Sequence, residues 1–131
     1  MTIKKWLLVG FILVAGFIAI MYLLNFDDAC GHDIYAEVFS PDGQYKAVVF
    51  QYDCGATTGF STHISITTAT EVLNKGAGNI FIIDGAPNQN DLGVNWLNNR
   101  HLAISGADRD LTFKAESTWG MDETIKIAYP R

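Results

Sequence analysis

The chain has 131 residues, 49% of them hydrophobic, which suffices for one membrane segment and one small domain. Nine basic residues face fourteen acidic ones; all fourteen acids and seven of the basic residues follow residue 24, so that part carries a net charge of −7. An acidic surface of this size speaks against nucleic acid and anionic lipid as partners.

The first predicted element is Trp6 to Leu24, "WLLVGFILVAGFIAIMYLL", 19 residues without a charge. As a helix it would span about 28 Å, enough to cross a hydrocarbon core. Trp6 and Tyr22 stand near its ends, where aromatic rings favour the headgroup region. Lys4 and Lys5 precede it, and Asp27, Asp28 and Asp33 follow. The positive-inside rule then places the N-terminus in the cytoplasm and the remainder outside. The apolar run is longer than that of a signal peptide, and "NFDDAC" offers no small-x-small cleavage site. Cutting at "VAG" (14–16) would leave "FIAIMYLL" at the new terminus. The expected plan is a cytoplasmic tail at 1–5, an uncleaved signal anchor at 6–24, a membrane-proximal linker at 25–33 and an extracytoplasmic β-domain at 34–131. In an oxidising compartment Cys30 and Cys54 read as a disulfide, whose loop closure contributes on the order of 3 kcal/mol.

From Ile34 onward the signals are strands and turns. "IYAEVF", the turn "SPDG" and "QYKAVVFQY" predict an antiparallel hairpin over 34–52. "HISITT" alternates, with Ile64 and Ile66 on the core face and His63, Ser65 and Thr67 on a polar outer face. "NKGAGN" is a glycine turn, and "IFII" (80–83) suits a buried central strand. "DGAPNQNDL" (84–92) is expected to be an exposed loop. "VNWL" and "HLAIS" form a second hairpin, with Val94, Trp96, Leu102 and Ile104 facing inward. "LTFKAES" and "TIKIAY" complete the set, the last placing Ile125, Ile127 and Tyr129 on one side. No helix is expected outside the membrane.

Seven or eight short strands with regular turns predict an all-β domain, a small antiparallel meander folded as a sandwich or partly open barrel, preceded by one transmembrane helix. "SPDGQYKAVVF" and "VNWLNNRHLAI" resemble single propeller-blade hairpins, but the chain is far too short for a propeller. "SPDGQYKAVVF", then "DCGATTGFSTHISI", then a late "W…I-x-I-x-Y" resemble an uncharacterised family of small bacterial proteins. The matching stretch covers roughly residues 40–66. The resemblance implies an N-terminal membrane segment, an extracytoplasmic β-rich domain, bacterial origin and a place in the envelope, which with the anchor gives the bacterial cytoplasmic membrane as the expected location. It carries no reaction and no catalytic residue.

Residues 53–63 concentrate the chemistry-bearing side chains. Ser61 and His63 share a strand face, and a hydroxyl beside an imidazole is what acyl transfer needs, with Asp53 as the available carboxylate. No GxSxG elbow surrounds Ser61, however, and no catalytic motif is recognisable. His32, Asp33 and Asp53 are nominal metal ligands that the disulfide would bring together, but no ligand spacing supports a metal site. "GATTG" lacks the lysine and helix of a phosphate loop. Thr57, Thr58, Phe60, Ser61, His63 and Trp119 remain as a candidate binding surface, with the aromatics as anchors for an envelope partner. The expected function is a non-catalytic binding or modulating role, tethered through the N-terminal helix and needing no cofactor. One alternative is an inhibitor or immunity-type protein with an acidic surface. The other is a small envelope hydrolase using Ser61 and His63.

Overall fold

The computed structural model describes residues 2–24, 30–55 and 59–131. Helix α1 (Ile3–Leu23) has 21 residues, none of them buried, and is long and apolar enough to cross a membrane. Lys4 and Lys5 lie in its first turn, and its last turn holds no basic residue.

The β-domain is two stacked sheets, with nine strands among the described residues. Strands β1 (Gly31–Phe39), β2 (Tyr45–Asp53), β3 (Phe60–Thr68), β4 (Phe81–Asp84) and β7 (Thr112–Ala115) form the first sheet in the order β1-β2-β3-β4-β7. Strands β5 (Gly93–Asn98), β6 (His101–Ser105), β8 (Thr118–Trp119) and β9 (Ile125–Ala128) form the second in the order β5-β6-β9-β8. The sandwich form of the expected fold is therefore the one adopted, with neither sheet closing into a barrel. It is not a pure meander. The chain leaves the first sheet after β4, returns to it for β7 and leaves again, and β6 pairs with β9 in parallel. Two single-turn 3-10 helices, Arg109–Leu111 and Met121–Glu123, interrupt the later connections.

Local chemistry explains the first hairpin. Gly43 takes φ +71°, a left-handed value that favours glycine, and its N–H donates to the Ser40 carbonyl at 2.9 Å. Ser40 Oγ donates to Asp42 Oδ1 and accepts from the Tyr45 N–H, and the Asp42 N–H donates to Asn99 Oδ1 of the second hairpin. β1 begins at Gly31, inside the stretch expected as linker. Residues 25–29 of that linker lie outside the described residues.

Alternation then sorts the side chains. Ala47, Val49, Ile64, Ile66, Phe81 and Ile83 of the first sheet meet Leu102, Ile104, Ile125 and Ile127 of the second. Each such burial contributes about 1.5–3 kcal/mol for a large apolar side chain. The inward face of the second hairpin is the expected one, with Val94 opposite Ile104 and Trp96 opposite Leu102. Trp96 also ties the sheets together, its Nε1–H donating to the Val38 carbonyl at 2.8 Å.

Two expectations need correction. The outer face of β3 is not open to solvent: His63, Ser65 and Thr67 are all buried, as are Val48 and Phe50 of the same sheet face. The connection 69–79 lies over this face and covers it. Nor is 84–92 simply an exposed loop, because Ala86 and Pro87 are buried and Asn90 Nδ2 donates to the Asp84 carbonyl at 2.8 Å.

Candidate functional site

The sequence singles out 53–63, and among its described residues Cys54, Ser61 and His63 act as fastenings. Antiparallel pairing sets Gly31 opposite Asp53, which brings the neighbouring Cys30 and Cys54 to a Cα separation of 4.0 Å, and they are joined as a disulfide. Phe60 opens β3 opposite Asp53 and is half exposed. Ser61 and His63 do share a face, with Oγ and Nε2 2.9 Å apart.

The other imidazole nitrogen fixes what that contact is. His63 Nδ1 accepts the Gly78 N–H at 2.8 Å, so in the neutral ring Nε2 carries the proton and donates it to Ser61 Oγ. Burial, then the positive charges of His32 and Lys114, push the His63 pKa down to about 4, so the ring is neutral at pH 7. The ring stacks on Tyr52 with centroids 4.4 Å apart, and His32 meets the same tyrosine edge-on at 4.8 Å.

Further side chains fasten the 69–79 connection. His32 Nε2 donates to the Gly76 carbonyl at 3.1 Å, and Lys114 Nζ donates to the Gly78 carbonyl at 3.3 Å. Ser65 Oγ accepts the Asn79 N–H at 3.0 Å. The Asn79 amide then both accepts from the Ile66 N–H and donates to the Ile66 carbonyl, each at 2.9 Å. It takes the place of a strand neighbour, because β4 pairs with β3 only as far as Ile64. Gly78 is the closest point of approach. A Cβ there would stand 2.8 Å from the Phe81 carbonyl oxygen and 2.9 Å from that of Ile64, both backbone atoms with little freedom to move.

The remaining candidate residues do not join this cluster. Trp119 packs edge-to-face on Tyr45 with centroids 5.7 Å apart, at the end of β2 opposite the Asp53–Phe60 pair. About 27 Å of strand separates those ends, so Phe60 and Trp119 do not rim one patch. Thr57 and Thr58 lie outside the described residues. His32 is turned to Gly76, and Asp53 Oδ1 accepts the Gly55 N–H at 2.9 Å. Among the described residues no three His, Cys, Asp or Glu side chains converge on a point.

A second feature gave no sequence signal. On the side where β7 edges the first sheet and residues 129–131 follow β9, the sandwich gapes into a cleft of about 680 Å³. Phe81 and Ile104, both fully buried, lie at its base, and Ala107 and Tyr129 add apolar wall. Tyr129 stacks on Phe81 at 5.9 Å and donates its hydroxyl to the Glu116 carbonyl at 2.7 Å. Burial, then the Glu116 charge, push the Tyr129 pKa up to about 12, which keeps the phenol neutral. Arg109, Arg131 and Phe113 are exposed at the lip. The arrangement can hold an apolar body against Ala107, Tyr129 and Phe113 and offer the Arg109 and Arg131 side chains beside it.

No curated protein and no solved structure matches the chain. A family model does, over residues 1–119, a span that takes in the helix, both cysteines, the His63–Gly78 contact and every strand through β8. The chain belongs to that family, DUF5412, a family of unknown function.

Proposed function

We propose that this protein is a membrane-tethered, non-catalytic binding module whose β-domain stands on the extracytoplasmic side and binds through the cleft between its sheets. The observation that carries the reading is the cleft itself: about 680 Å³ of open volume bounded by the accessible faces of Ala107, Phe113 and Tyr129, within the size range of small-molecule sites. The flanking charges of α1 support the orientation, and the tether raises the local concentration of the module for anything at the membrane.

The direction of the Ser61–His63 hydrogen bond supports a non-catalytic role. A general base must present an unprotonated nitrogen to the hydroxyl and hold its other N–H against a carboxylate. Here the nitrogen facing Ser61 bears the proton, and the other is occupied by a backbone N–H. The pair fastens a loop.

A photoreactive residue placed at Phe113 in the full chain, irradiated in native membranes, tests the reading. It is expected to give adducts at 113 that the same residue at Val72, an exposed position on the 69–79 connection, does not give. Equal adduct yields at 113 and 72, or none at 113, contradict it.

A further inference from the structure

We propose that the cleft takes a free single-chain anionic amphiphile, its acyl or aryl body against the accessible faces of Ala107, Phe113 and Tyr129 and its carboxylate or phosphate head on Arg109 and Arg131. This rests on reading the cleft as the binding surface and adds the ligand's chemical class.

Charge is the first argument. Among the described residues, most basic side chains of the acidic β-domain are engaged: Lys46 with Glu37, Arg100 with Asp42, Lys114 with the Gly78 carbonyl. Arg109, Lys126 and Arg131 are in no ion pair or side-chain hydrogen bond among the described residues, and two of these three line the cleft. The single acidic side chain in the lining, Asp108, is turned to its own 3-10 helix, where it accepts the Asp110 N–H at 3.0 Å. A planar guanidinium pairs in two-point fashion with a carboxylate or phosphate and remains charged at any physiological pH.

Apolar surface is the second argument. Phe113 on the lip is 71% exposed and the neighbouring Leu111 43%, beside a lining whose two hydroxyls, on Tyr129 and Thr112, are already donated to the Glu116 and Asp108 carbonyls. Such a surface favours alkyl or aryl groups over sugars or polar peptides, which would leave their hydrogen-bonding groups unpaired. Size is the third: the volume suits one chain of a small molecule. The net charge of −7 beyond the helix disfavours docking of the whole domain onto an anionic bilayer, which is why the ligand is placed free rather than within the membrane.

The test uses the full chain in nanodiscs of neutral phospholipid. The probes are a diazirine-bearing dodecanoic acid, the matching alcohol, and a phosphatidylglycerol carrying the same diazirine chain. Labelled peptides are mapped by mass spectrometry. The acid is expected to label 104–115, at half-saturating concentrations about tenfold below those of the alcohol, and Arg109→Gln is expected to remove that preference. Label confined to residues 3–23 overturns the proposal. So does equal labelling of 104–115 by acid and alcohol, which leaves the cleft a binding site but not one for anions. Labelling of 104–115 by the phosphatidylglycerol without labelling by the free acid overturns it as well, since the ligand would then be the bilayer itself.

Discussion

At Gly78 the difference between a hydrogen and a methyl group decides whether the 69–79 connection can lie on the sheet. The close approach of two backbone carbonyls leaves no room for a Cβ, so Gly78→Ala is expected to lower stability by about 1–3 kcal/mol, read from urea unfolding followed by tryptophan fluorescence. An unchanged midpoint would show that the connection shifts at no cost. His63 supplies a pH dependence whose sign is fixed. Its folded pKa of about 4 lies below the unfolded value of 6.5, so the unfolded chain binds the proton more readily. This contribution to stability is complete above pH 6.5 and is lost as pH falls from 6.5 toward about 4. His63→Gln is expected to flatten the stability profile between about pH 6.5 and 5, above the usual carboxylate range. A slope in that window equal to the native one would assign it to other groups. Ser61→Ala removes an acceptor for the His63 proton and is expected to lower stability by about 1 kcal/mol, checked by the same urea unfolding.

Among the elements, the first hairpin is closed at one end by the Ser40–Gly43 turn and at the other by the disulfide. Replacing both cysteines by serine is expected to lower stability by about 3 kcal/mol, measured as a shift in the unfolding midpoint of the full chain in detergent. These elements were legible because their signals are local. Period-two alternation marks β3, β5, β6 and β9, the apolar run "AVVF" marks β2, and "SPDG" carries its own turn chemistry. Alternation has a limit, which β3 illustrates. The polar set His63, Ser65 and Thr67 says that one face differs from the other, not that it meets water. Covering that face depends on a glycine turn 15 residues further on, where Gly78 N–H meets Nδ1. The return of β7 to the first sheet and the parallel β6–β9 pairing were hidden for a related reason: strand patterns do not encode which strand they pair with. The cleft was invisible for the same cause at longer range, since Phe81, Ile104, Arg109 and Arg131 come from separate segments with no motif linking them.

For the whole molecule, the proposed extracytoplasmic placement of the β-domain accounts for two features together. An apolar helix flanked by Lys4 and Lys5 on one side and acidic chain on the other is the charge pattern that the positive-inside rule expects for that proposed orientation. The disulfide that closes β1 against β2 persists in an oxidising compartment and is rare in the cytosol. The 69–79 connection covers the outer face of the first sheet, while the cleft opens at the β7 edge between the sheets, and Lys114 touches both. The redox state of the two cysteines in living cells therefore tests the account most directly. Cells are quenched in acid, and the protein is treated with a maleimide of resolvable mass before and after reduction. The account predicts no modification before reduction and modification of both Cys30 and Cys54 after it. Two modified thiols before reduction would contradict it.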